Sequence, residues 1–134
     1  MADHNQLGKK GEMAAVEFLR QNGHHIIERN FRFGKSEIDI ISRENSTIVF
    51  TEVKTRSTDY FGYPEEAVDK RKIRKIQQAA AEYIYRQKIE GPVRFDIVSA
   101  TQEKEGMKIY HIKDAFFNED AGLTGDWDMS QTTL

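Results

Sequence analysis

Nine consecutive residues, Ile48-Val49-Phe50-Thr51-Glu52-Val53-Lys54-Thr55-Arg56, constrain the fold more than any other stretch. Val49, Phe50 and Val53 are β-formers, so the segment predicts a strand inside a sheet. Side chains alternate across a strand, which puts Glu52 and Lys54 on one face and Val53 on the other. An apolar strand thus ends in a carboxylate beside an ammonium. Such a pair can hold a cation and touch a phosphate. A half-solvated surface strand also reads Glu-Val-Lys, so the neighbouring elements must decide between the two.

Ahead of this strand, Glu37-Ile38-Asp39-Ile40-Ile41 predicts another, with Ile38 and Ile40 on one face and Glu37, Asp39 and Ile41 on the other. The polar link Arg43-Glu44-Asn45-Ser46 predicts a hairpin. A two-residue turn at Asn45-Ser46 sets Asp39 opposite Glu52 and Glu37 opposite Lys54. Opposed acids repel unless a cation or a shared proton lies between them. His24 to Phe33 predicts a first strand, followed by a turn at Gly34-Lys35. His24 and His25 point opposite ways on it, which argues against a metal-binding pair.

Residues 8–22 show helical periodicity, with Ala15, Val16 and Leu19 as an apolar stripe, Phe18 at its edge and Gly23 as a stop. At about 100° per residue, Glu12 projects into that stripe. A carboxylate there must be paired, protonated or bound to metal. The sequence leaves a site role open beside a pairing with Arg29 or Lys54. After a loop carrying Phe61-Gly62-Tyr63, Pro64, Glu65 and Glu66 suit the start of a helix running to about Lys88. Ile73, Ile76, Ala80, Tyr83 and Gln87 trace its inner stripe. Lys72 lies near the stripe and can reach inward; Arg71, Arg74 and Lys75 read as solvated. Gly91-Pro92 ends the helix. Val93–Ala100 and Met107–Ile112 predict two more strands, with Asp96 paired internally to Arg94 and His111 structural.

The chain of 134 residues, 38% hydrophobic and 31% charged, suits one soluble domain. No run approaches the ~18 apolar residues of a membrane span. The polar start, Met-Ala-Asp-His-Asn-Gln, lacks a signal-peptide core, and the absence of cysteine excludes disulfides and thiolate metal sites. A cytoplasmic location is the expectation. Residues 114–134 hold five acids and no Lys or Arg, which leaves 20 basic and 17 acidic residues in 1–113, a net of +3 within a total of −2. The expected organisation is a single α/β domain over 1–113 and an acidic tail over 114–134, whose Phe116, Phe117 and Trp127 fray or dock. Lys70 to Lys75 packs five positive charges into six positions, which leaves nucleic acid open as a partner. The sequence contains no repeat, no Gly-rich phosphate loop and no Ser/His/Asp set.

The order α-β-β-β-α-β-β predicts a mixed central sheet flanked by helices. Glu12, Asp39, Glu52 and Lys54 all sit on elements otherwise given to packing, and a helix backing a hairpin gathers them near one sheet edge. Two carboxylates suit Mg²⁺, which keeps several waters and binds substrate phosphate. The ion would polarise the phosphoryl oxygen and acidify a bound water. Lys54 could orient that water or neutralise charge building on the phosphate.

Asp39 followed by Glu52-Val53-Lys54 resembles the PD-(D/E)XK motif of restriction-endonuclease-like nucleases. The longer set is more specific. Gly11-Glu12, Asn30-Phe31-Arg32, Glu37 to Ile41, Phe50 to Arg56, Glu66-Ala67-Val68 with Lys72, and Arg94 to Val98 resemble the YraN-type family of small proteins regarded as endonucleases, similar in turn to archaeal-type Holliday-junction resolvases. The resemblance covers about Gly8 to Val98. It implies a restriction-endonuclease-like fold, metal ligation by Asp39, Glu52 and the Val53 carbonyl, a supporting acid at Glu12 and a catalytic Lys54. Mg²⁺ is the implied cofactor, with Mn²⁺ as substitute. The implied partner is DNA, including branched DNA, met by Arg29, Arg32, Arg56, Arg71, Lys72 and Lys75, with a homodimer matching two sites to two strands. Ser36 departs from the family's usual Gly, and Ile38 stands where Pro precedes the Asp in the general motif. The alternative is a non-catalytic nucleic-acid-binding protein that keeps the fold.

Overall fold

A computed structural model of the chain describes residues 4–57 and 69–116. Its elements are α1 (His4–Gln21), β1 (His24–Phe33), β2 (Ser36–Glu44), β3 (Thr47–Ser57), α2 (Lys70–Gln87), β4 (Val93–Glu103) and β5 (Gly106–Ile112). This is the predicted α-β-β-β-α-β-β order. The Phe61-Gly62-Tyr63 loop, the Pro64-Glu65-Glu66 helix start, the Glu66-Ala67-Val68 motif, and Phe117 and Trp127 lie outside the described residues. Among the described residues, no helix is long and apolar enough to cross a membrane.

The five strands form one sheet in the order β1-β2-β3-β4-β5. Asn45, at φ 56°, takes the left-handed backbone that Asn tolerates, and Asn45-Ser46 close β2 onto β3 with Glu44 opposite Thr47. The register Ile40–Thr51 and Ile41–Phe50 is the one a two-residue turn predicts. β3 and β4 run parallel, Glu52 beside Ile97, with α2 carrying the chain between them; the other pairings are antiparallel. The sheet is therefore mixed and β3 is its central strand.

Each helix covers one face. Ile76, Ala79, Ala80 and Tyr83 of α2 pack on Phe31, Ile41, Ile48, Phe50, Phe95 and Ile97. Tyr83 stands edge-on to Phe31 and Phe50, with centroids 5.2 and 6.0 Å apart. Ala15, Val16 and Leu19 of α1 pack on Ile40 and Val98. Each large apolar side chain removed from water contributes about 1.5–3 kcal/mol. Gln87, expected on the inner stripe, is exposed at the last residue of α2. The helix carrying the basic run begins at Lys70 rather than Pro64, because extended Asp69 caps it by accepting the Lys72 N–H at 2.9 Å.

Beneath the C-terminal half of α1 lies a closed polar network. Fully buried Asp96 accepts Arg94 Nε and Nη2 at 2.8 Å, pairs with His111 Nε2 at 2.8 Å, and accepts the Asp114 N–H at 3.0 Å. Arg94 also meets Glu44 at 2.9 Å. His24 pairs with Ser42 at 2.9 Å, whereas His25 is exposed. Phe116 stacks on Phe95 at 5.3 Å, so the first residues of the predicted tail dock on the sheet. Burial alone would raise the Asp96 carboxyl; its bonds from Arg94 and His111 outweigh that and hold it at about 2. Asp96→Ala leaves a part-buried Arg94 without its main partner and opens a hole in the sheet, and should cost about 2–4 kcal/mol in chemical denaturation. A loss under about 1 kcal/mol would show that the network is not structural.

Candidate active site

β2 and β3 hold their ladder from the turn as far as Ile40 and Thr51, and there it stops. At the same register the next pair would be Asp39 and Glu52. β2 instead stays with β1, pairing Ile38 to Phe31 and Ser36 to Phe33. The Val53 N–H, left without a strand partner on that side, donates to Asp39 Oδ2 at 2.7 Å. In an extended chain the N–H and C=O of one residue point the same way, so the Val53 carbonyl is directed into the same opening.

The fork has a local cause. Arg29 pairs with Ile40 and Phe31 with Ile38; between them Asn30 adopts φ 54°. Ile40 packs in the cluster under α1, whereas Ile38 packs in the cluster under α2. Two residues apart on a regular strand would share a face. The predicted common face of Ile38 and Ile40 is thus broken, because the pleat reverses at Asp39 opposite the left-handed Asn30. The reversal turns the Asp39 carboxylate toward β3. The site therefore lies at the centre of the sheet, not at the edge that the sequence suggested.

Two adjoining clefts of about 410 Å³ each share Asp39, Glu52 and Lys72. One is bounded by Lys35, Glu37, Arg71 and Lys75. The other is bounded by Lys9, Glu12, Val53, Lys54 and Thr55. Lys72 Nζ lies 2.8 Å from Glu52 Oε2, the inward reach that its place near the helix stripe predicts. Burial would lower the Lys72 ammonium; Glu52 outweighs it and raises it. Glu12 receives Arg29 Nη2 at 3.2 Å and Asn30 Nδ2 at 3.3 Å, so its partner is Arg29 rather than Lys54, while it still faces the cleft. Lys54 makes no ion pair among the described residues and keeps its ammonium for the cleft.

Of the residues singled out by sequence, Glu12, Asp39, Glu52, Val53, Lys54, Arg71, Lys72 and Lys75 come together. Arg29 stands behind Glu12, Arg32 is exposed beside Glu37 at 3.7 Å, and Arg56 lies further along β3; none of the three lines either cleft. Sequence reasoning missed Lys9, Lys35 and the role of Asn30. Lys9 precedes Glu12 by one helical turn, a spacing that places both on one face. The Asn30 signal was its residue type, since Asn is among the few that accept left-handed backbone.

Burial, then the neighbouring Glu52 charge, raises the Asp39 carboxyl to about 8, against the Val53 N–H; Glu12 and Glu37 push the same way as Glu52. Two neighbouring carboxylates, with a backbone carbonyl directed toward the same opening, form an acid-rich donor set that a divalent cation would relieve. Among the described residues no three His, Asp or Glu side chains converge as a ligand group. The donors suit an oxygen-seeking ion that completes its shell with water and phosphate, such as Mg²⁺, and not one that needs a full side-chain cage.

Comparison with known sequences places this geometry in a group. Residues 11–100 match the model of the family described as Uncharacterised protein family UPF0102. The chain belongs to this family. UPF0102 is the YraN family that the sequence motifs resemble. A UPF0102 protein of Christiangramia forsetii is 46% identical over 87% of this chain and 98% of its own length. Relatives in Bacteroides thetaiotaomicron and Persephonella marina are 47% and 48% identical, over 87% and 81% of this chain and 97% and 91% of theirs. The solved structure of Pyrococcus furiosus SfsA in complex with Ca²⁺ aligns at TM-score 0.33 and 16% identity, covering 84% of this chain and 64% of that one, too loosely to argue from. The UPF0102 match opens at Gly11 and takes in Glu12, Asp39, Glu52, Lys54 and Lys72.

Gly11 sets how closely α1 approaches the site. A β-carbon there would collide with Thr55 Oγ1 and would meet Thr55 Cβ at 2.9 Å. Turning Thr55 does not relieve the second contact. Gly11→Ala should therefore destabilise by about 1–3 kcal/mol in denaturant titration, and Thr55→Gly should recover most of it. Absence of recovery would show that the contact is not the cause. For Asp39, the folded value of about 8 lies above the ordinary 3.8. The stability it contributes is full below pH ~4 and is lost as pH rises through ~8. In EDTA, Asp39→Asn should raise the melting temperature at pH 8 and do so less at pH 5. A pH-independent difference would contradict the assigned burial.

Proposed function

We propose that this UPF0102 protein is a Mg²⁺-dependent DNA endonuclease of the cytoplasm, hydrolysing phosphodiester bonds with branched or junction DNA as its substrate class. The observation that carries this is the juxtaposition of Asp39 and Glu52 at the strand fork, lining two clefts and flanked by Lys54, which makes no ion pair among the described residues. Asp39, Glu52 and the Val53 carbonyl would hold the ion, which would polarise the phosphoryl oxygen and acidify a bound water. The chain's own groups do the rest. Val53 N–H fixes one Asp39 oxygen, which orients the other. Arg29 and Asn30 orient Glu12 from behind, leaving it a supporting acid at the cleft. Lys54 supplies a positive charge for the attacking water or the crowded phosphate. Arg71, Lys75, Lys9 and Lys35 rim the clefts and suit a polyanion. Two copies related by a twofold axis would match two sites to two strands.

The Lys72–Glu52 pair favours a second reading, nucleic-acid binding without cleavage, because one of the two acids already has a counter-charge. Incubation of junction, flap and linear DNA with Mg²⁺ separates the two. Cleavage by the wild type is expected to fall by at least ~100-fold in Asp39→Ala and Lys54→Ala. Full activity in either variant would sink the site assignment. DNA binding with a steep salt slope and no Mg²⁺ or Mn²⁺ heat in calorimetry would establish the binding module instead.

A further inference from the structure

Among the described residues, Lys72 is the one cationic side chain that belongs to both clefts, and its ion pair is with Glu52. Its ammonium lies 2.8 Å from Glu52 Oε2. The Glu52 side chain is 5% exposed and that of Lys72 43% exposed. The acid is fixed in the sheet while the base is a flexible stem reaching in from the rim. A buried carboxylate without a counter-charge is unfavourable. Glu52 has one neighbouring acid, Asp39, across the same opening, and no other cation is within salt-bridge distance of it among the described residues. Lys72 therefore supplies the charge balance that the acid pair requires. The helix does not depend on that side chain, since Asp69 caps it through the Lys72 backbone N–H. Asp69 and Arg71 on the same turn both face the first cleft, so a released Lys72 stem has open space to move into.

We propose that Lys72 is a tethered counter-cation: its ammonium neutralises Glu52 until a divalent ion takes that carboxylate, and is then released into the cleft to bind substrate phosphate. This rests on the nuclease reading above and adds an exchange of partners within it. The ammonium offsets part of the charge at the acid pair, so the free protein keeps its carboxylates close together without an ion bound. The exchange also couples the arrival of the ion to the appearance of a phosphate-binding group.

The test uses Mn²⁺ alone, by calorimetry on the full chain without DNA. Lys72→Met, which keeps the stem and removes the charge, should bind Mn²⁺ about fivefold more tightly than wild type, the weight of a part-buried ion pair. Arg74→Met removes a charge from the same helix at an exposed position outside both clefts and should change the affinity less than twofold. Thermal melting checks that each variant is folded. The second arm measures salt dependence of binding to a short DNA duplex. In EDTA, wild type and Lys72→Met should show equal slopes. With Ca²⁺, which seeks the same oxygen ligands, the wild-type slope should be steeper by about 0.9, one phosphate contact. Equal Mn²⁺ affinities in wild type and Lys72→Met would overturn the counter-cation alone and leave the nuclease reading standing. A slope difference already present in EDTA would overturn it too, because Lys72 would then meet DNA without release. Failure of both proteins to bind Mn²⁺ would remove the nuclease reading and this proposal together.

Discussion

A single hydrogen bond, from the Val53 N–H to Asp39, stands where a strand-to-strand bond would otherwise be. Everything distinctive about the molecule follows from that substitution. A backbone donor at the middle of a sheet cannot be left unpaired. By accepting it with a side chain, Asp39 lets β2 leave β3 without an orphaned group. The parting exposes the floor of the sheet at its centre, where strand positions are otherwise sealed by a helix on each face. It also commits the Asp39 carboxylate to lie beside Glu52, a placement that two acids would not adopt unaided.

The same sheet handles another buried acid in the opposite manner. Asp96 has four donors around it and is held at about 2; Asp39 has one backbone donor and is raised to about 8. The first is saturated and can take on nothing further. The second has unmet capacity, and strongly perturbed groups of this kind concentrate at reactive sites. Both acids sit on β-strands in alternating sequence and look alike in the primary structure. What separates them is the company each keeps: Arg94 and His111 for one, Glu52 and Glu12 for the other.

Much of this was readable from residue order. The two-residue turn at Asn45-Ser46 set the hairpin register, and helical spacing aimed Glu12 and Lys72 inward, because both rules act over a few residues. The Arg94–Asp96 pair was readable for the same reason. The reversal of the pleat at Asp39 was not, since it depends on a left-handed residue in a different strand, Asn30, meeting it across the ladder. The start of α2 at Lys70 was obscured by Pro64 and two glutamates, which carry every local mark of a helix start, while Asp69 offered a quieter cap. The central position of the site was hidden too, because a sequence does not state that β4 will run parallel on the far side of β3.

The two clefts meet over the same three side chains, Asp39, Glu52 and Lys72, one bounded further by residues of β2 and α2 and the other by residues of α1 and β3. Among the described residues the floor is thus shared by two clefts and is not a single pocket. A blind pocket admits only the terminus of a long molecule. A shared floor would admit it sideways, anywhere along its length, and let both ends run on past the protein. Under the nuclease reading, a polymer laid across such a floor would need no free end.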